Sequence, residues 1–149
     1  MPADLSYKNG RAELVLANKP AWHGAGIVLD HAMTSREIAD LDILNWQVAL
    51  WDLQALEPGG VSRSEVPFRK AVVRTDLGRT LGVVGTDYIP VQNGEAFEFC
   101  DGLVKDGTIR YESAGALSGG RIIWLLARMP GREYFVDQQD RIEPYILFS

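Results

Sequence analysis

Cysteine is almost missing from this chain. Cys100 is the only one in 149 residues, so no intramolecular disulfide can form. No CxxC or Cys/His cluster marks a zinc site, and a reducing compartment fits such sparse cysteine usage. Long apolar runs are missing too. No stretch approaches the roughly 20 apolar residues that a membrane span requires. The opening "MPADLSYKNGRAELVLANK" has no signal-peptide core. These absences point to a cytoplasmic protein with no membrane partner.

Catalytic signatures are equally thin. There are two histidines, His23 and His31. No HExxH, GxSxG or GxxxxGK[ST] pattern occurs, and no carboxylate spacing marks a metal pair. No catalytic residue, metal or cofactor is therefore assigned. The net charge of −5 argues against strong nonspecific binding to nucleic acid.

What is present is ordinary globular composition, 46% apolar and 23% charged. A chain of this length buries about 68–70% of its unfolded surface, enough for one domain without staples. Residues 1–21 read as a loose N-terminal arm, with turn signals "KNG" and "NKP" around the short run "AELVLA". Residues 22–149 read as a single domain.

"TSREIADL" opens a helix. Thr34 and Glu37 have capping-box spacing. "NWQVALWDLQAL", "VPFRKAVVRTD" and "TLGVVG" read as strands, the last two joined as a hairpin. Asn93 caps a second helix, in which Ala96, Phe97, Cys100, Leu103 and Val104 form an apolar stripe and Gly107 ends it. "IRYESAGAL" and "RIIWLLARM" flank the turn "SGG". "REYFV" and "RIEPYILFS" form a further strand pair, and Pro144 sends the last strand to a sheet edge. The predicted class is α+β, a mostly antiparallel sheet with two helices packed on one face.

Candidate sites are binding surfaces. Residues 63–79 hold Arg63, Arg69, Lys70, Arg74 and Arg79 against Glu65 and Asp76, which leaves the rest of the chain strongly acidic. This strip is a basic binding face or the solvated face of a strand. Single-stranded nucleic acid is held by aromatic faces and a basic groove. Trp22, Trp51, Tyr88, Tyr111 and Trp124 are the aromatic candidates; Arg110 and Arg121 join the strip as groove candidates. Trp46 and Trp124 lie in strongly apolar runs and fit the core as well. The loop "TDYIPVQN" leads into a helix N-terminus, where Tyr88, Gln92 and Asn93 are candidate anion or nucleic-acid contacts. Trp22 and His23 in "AWHGAG" are a further candidate, a proton-transfer histidine or a turn residue. Cys100 lies on the apolar stripe and reads as a buried hydrophobe.

The pieces "AWHGAG", "LGVVGTDYIPVQNGEAFEFCDGLV" and "YESAGALSGGRIIWLLARMP" follow one another in a familiar order. From about Trp22 to Phe148 the chain resembles a family of phage- and plasmid-related proteins catalogued as a domain of unknown function. The resemblance implies a mobile-element gene acting in bacterial cytoplasm, and no established reaction. It also implies a further portion beyond "YILFS" that this chain lacks, leaving an edge strand open to pairing with a second copy.

Three functions follow as expectations. The first is a non-catalytic protein acting on single-stranded nucleic acid, in replication, recombination or strand annealing. At fold level only, its hairpin-and-helix arrangement resembles single-strand annealing proteins of the Rad-fifty-two type. The second is an inhibitor that binds a bacterial host defence protein through its acidic surface. The third is an enzyme built around His23 and the loop 85–93.

Overall fold

The computed structural model of the chain describes residues 4–21, 24–103, 109–136 and 140–149. They divide into two compact units. Residues 46–92 form one, and the segments on either side, 1–45 and 93–149, form the other.

The larger unit is built on a five-stranded sheet. Its members are β3 (Leu14–Ala17), β4 (Ile27–Leu29), β8 (Arg110–Leu117), β9 (Ile122–Arg128) and β12 (Tyr145–Phe148), in the order β12-β9-β8-β3-β4. All neighbours are antiparallel except β3 and β4. The hairpin from β8 to β9 turns through Ser118, Gly119 and Gly120, all with positive φ, as its "SGG" predicts. Two small ribbons accompany the sheet: β1 (Tyr7–Lys8) with β2 (Arg11–Ala12), and β10 (Tyr134–Val136) with β11 (Asp140–Ile142).

The described part of the expected N-terminal arm, residues 4–21, is not a loose arm. β3 lies inside the sheet between β8 and β4, and Leu14 and Val15 are buried. The run is too short to show a period, and its partners lie about a hundred residues away, Leu14 opposite Gly115 and Val15 opposite Ala114. Small residues on β8 allow the close approach. A Cβ at Gly115 would stand 2.8 Å from the Glu13 carbonyl oxygen and 3.1 Å from the Trp124 ring.

The C-terminal strands also differ from expectation. "RIEPYILFS" is not one strand opposite "REYFV". Pro144 divides it, so that β11 pairs with β10 while β12 pairs with β9. β12 is an edge strand, as the proline requires.

Helix α1 (Ser35–Asp40) starts at a complete capping box. Thr34 accepts from the Glu37 N–H, and the Glu37 carboxylate accepts from the Thr34 N–H at 2.8 Å. Helix α2 (Asn93–Leu103) buries Phe97 and Cys100, two members of the expected stripe. The two helices pack together where Gly94 meets Ala39. Asp101 of α2 accepts from Ser35 of α1 and, at 2.8 Å, from Tyr111 of β8, which ties the helix pair to the sheet. The class is α+β, with mostly antiparallel sheets and two helices. Gly107 lies outside the described residues.

The second unit is a three-stranded antiparallel meander, β5 (Val48–Leu56), β6 (Arg63–Arg74) and β7 (Arg79–Gly85), with β6 in the centre. It holds the basic strip. Among the described residues no helix is long and apolar enough to cross a membrane.

Candidate nucleic-acid interface

Cross-strand register sorts the meander into two faces, because side chains alternate along each strand. Trp51, Ala71 and Val83 stand in one row across β5, β6 and β7. Ala71 is buried, while Trp51 is 50% and Val83 57% exposed. Arg69 lies two residues from Ala71 and pairs with Gly85. A Cβ built on Gly85 would lie 3.8 Å from an Arg69 guanidinium nitrogen, so the arginine lies across the bare backbone of that glycine. One face therefore presents an indole, a valine and a guanidinium around a small central residue.

The adjacent row, on the opposite face, is Asp52, Lys70 and Val84. Lys70 forms an ion pair with Asp52. The hydrogen bond that Lys70 donates to Asp52, followed by the Asp52 charge, pushes the ammonium above its ordinary pKa. Lys70 is thus committed within the sheet.

Arg74 departs furthest from its place in the expected groove. Its side chain is fully buried, lies over the Trp46 ring and pairs with Asp76. A desolvated guanidinium is held by pairing and stacking, so it is part of the unit's core and offers nothing to a ligand. Arg63, Arg69 and Arg79 remain exposed. The exposed strip is thinner than its sequence.

The "TDYIPVQN" loop separates in the same way. The Tyr88 ring is half-exposed, and its N–H donates to the Gly85 carbonyl at 3.3 Å. Gln92 is a structural clamp. Its Oε1 accepts from the Val48 N–H and its Nε2 donates to the Val48 carbonyl, both at 3.0 Å. Asn93 is buried as the first residue of α2, and its Nδ2 donates to the Leu44 carbonyl at 2.9 Å. An amide so placed anchors the helix start instead of facing a dissolved anion.

Arg110 and Arg121 are exposed but belong to the larger unit. They stand at opposite ends of β8 and its turn, roughly 20 Å or more apart at about 3.3 Å per residue, so they form no common groove. Tyr111 is buried and spends its hydroxyl on Asp101, which excludes it as a stacking surface. Trp124 packs against Gly115. Trp22 and His23 lie outside the described residues. Cys100 is buried, and burial, followed by the Asp101 charge, pushes its thiol pKa up, the reverse of nucleophile activation. Among the described residues no group of three His, Cys, Asp or Glu side chains is placed to hold a metal.

Sequence reasoning missed Phe68 and Gly85. A glycine ending a strand and a phenylalanine following Pro67 were the available signals, and neither states which face the residue serves.

Comparison with known proteins gives one match. Residues 80–149 match DUF932, a domain of unknown function. The DUF932 match runs from β7 to β12, so it includes two of the three quoted motifs and excludes "AWHGAG". The resemblance to a catalogued domain of unknown function holds over that span. No curated protein and no solved structure matches the chain. DUF932 supplies no reaction and no ligand, so function rests on the geometry of this chain.

Proposed function

We propose that this is a phage- or plasmid-encoded, non-catalytic protein that binds single-stranded nucleic acid across the Trp51 face of the meander. It would act in replication, recombination or strand annealing in the cytoplasm of a bacterial host. One observation carries the reading: the half-exposed Trp51 shares a face with Arg69, which lies across Gly85. Base stacking on an aromatic face beside a guanidinium for the phosphate is how single strands are held without sequence preference. Charge is consistent with it. Residues 46–92 carry five basic and five acidic side chains, so the chain's net −5 resides wholly in the other unit.

The test is fluorescence anisotropy of a labelled oligothymidylate at low and high salt. Binding should weaken steeply with salt. Arg69→Ala should lower the affinity and reduce the salt slope by roughly 0.7. Trp51→Ala should cost roughly tenfold. Absence of binding at low salt, or binding that neither variant alters, would sink the reading. Solution mass with and without the oligomer adds the assembly state, since β12 is an edge that a second copy can extend.

The acidic larger unit favours a second reading, a protein that occupies a basic nucleic-acid site on a host defence protein. A stable, salt-sensitive complex with such a protein, combined with no affinity for the oligothymidylate, would select it.

A further inference from the structure

Among the described residues four non-glycine positions have positive φ: Asn9, Asn18, Phe68 and Ser118. Asn9, Asn18 and Ser118 occupy bends and turns, where short polar side chains tolerate that conformation. Phe68 differs. It lies within β6, with φ of 58°, a costly conformation for a residue with a bulky side chain. Burial does not repay the strain, because Phe68 is 80% exposed.

The surrounding register places the residue in a bulge. Asp52 pairs with Lys70, but Gln54 pairs with Glu65. Between these pairs β6 advances by five residues while β5 advances by two, so β6 bulges by three. Pro67, which has no N–H to offer the ladder, lies in that bulge. Bulges of this kind redirect a side chain. Here the redirected side chain is an aromatic ring directly before Arg69, in a run from Val66 to Arg74 with no acidic residue. Strain held at one exposed side chain points to use of that side chain.

We infer that Phe68 is a second base-stacking residue of the same interface, and that it gives the interface its preference for single strands over duplex. This rests on the reading proposed above. The ring stacks on an unpaired base while the neighbouring Arg69 meets the backbone phosphate. A base in duplex is already stacked on both faces and offers the ring no surface, whereas every unpaired base does. The aromatic–guanidinium pair favours a polyanion with π-faces over a protein partner.

Phe68→Gly tests this, because glycine accepts positive φ without steric cost. The full chain is titrated with a labelled oligothymidylate and with a labelled duplex of equal length, and its urea midpoint is measured alongside. The expected result is a urea midpoint unchanged or raised, roughly tenfold weaker binding of the single strand, and unchanged duplex binding. Phe68→Tyr, which keeps a stacking ring, should bind the single strand like the wild type. If Phe68→Gly binds the single strand normally while Arg69→Ala weakens it, the inference fails and the interface reading stands. A midpoint that falls together with affinity makes the ring structural and overturns the inference. Failure of the unmodified chain to bind the oligothymidylate overturns both.

Discussion

The Arg74 guanidinium lies 4.2 Å from the centre of the Trp46 ring while its Nε and Nη2 donate to the two Asp76 carboxylate oxygens at 2.7 and 3.0 Å. Trp46 and Arg74 are both buried. Trp46 and Asp76, from separate positions, thus close around the Arg74 charge. A residue that reads in sequence as the middle of a basic strip is a core element of the meander.

Removing the carboxylate should therefore hurt more than surface charge pairs do. Asp76→Ala removes the carboxylate that pairs with a buried guanidinium, a loss of about 3 kcal/mol for a broken buried pair. Arg74→Lys keeps the charge but loses the forked geometry and the stacking, so it should also destabilise. Urea unfolding measures both. A loss below about 0.5 kcal/mol for Asp76→Ala, typical of surface substitutions, would show that the pair is not an integral part of the core.

Gln92 yields a paired prediction of a different kind. Its amide matches both backbone groups of Val48. Gln92→Ala removes both bonds, at about 1–2 kcal/mol. Gln92→Glu keeps an acceptor for the Val48 N–H but turns a second carboxylate oxygen toward the Val48 carbonyl. The charged variant should be the less stable of the two at neutral pH. Equal stability of Gln92→Glu and the wild type would show that this clamp does not operate in solution.

These residues mark where sequence stops being informative. Local signals were sufficient for the capping box at Thr34, the "SGG" hairpin and the edge position after Pro144, because each depends on neighbours within a few residues. β3 was not legible. Its identity comes from pairing with Ala114 and Gly115, which no local pattern encodes. Arg74 failed for the same reason, since the sequence places Asp76 nearby but not Trp46, 28 positions earlier. Arg69 and Arg79 of the same strip are exposed. The Phe68 bulge is set by a register mismatch between two strands, and only paired strands reveal it.

Asp101 links three elements, so its loss should exceed that of either partner. The carboxylate accepts from Ser35 and Tyr111, both buried. Burial, followed by the Asp101 hydrogen bond, pushes the Tyr111 hydroxyl far above its ordinary pKa. Tyr111→Phe removes one hydrogen bond and should cost about 1 kcal/mol. Asp101→Ala leaves two buried hydroxyls without this acceptor and should cost about 2–3 kcal/mol. Calorimetric or urea midpoints rank the variants, and an Asp101→Ala protein no less stable than Tyr111→Phe would contradict the linking role.

The start of α1 should carry a pH signature. His31 stands between two carboxylates, with Nδ1 2.9 Å from Asp30 and Nε2 2.9 Å from Glu37. Doubly protonated, its ring donates to both. The Asp30 hydrogen bond, then the Glu37 bond, raises His31 above its ordinary value of 6.5. The His31 bond depresses Asp30 below 3.8, and the Thr34 backbone bond, then His31, depresses Glu37 below 4.5. The signs follow from linkage. A raised histidine contributes stability that is complete below 6.5 and lost as pH rises through its folded value. Depressed carboxylates contribute stability that is complete above 3.8 and 4.5 and lost as pH falls through their folded values. The cluster is therefore most stabilising between those carboxylate values and 6.5. His31→Ala should remove the alkaline-side loss and leave part of the acid-side loss, because Glu37 keeps its Thr34 bonds. An imidazole titration by NMR, with urea midpoints across the same range, checks both limbs. A His31 ring that titrates at or below 6.5 would show that the two carboxylates do not hold it.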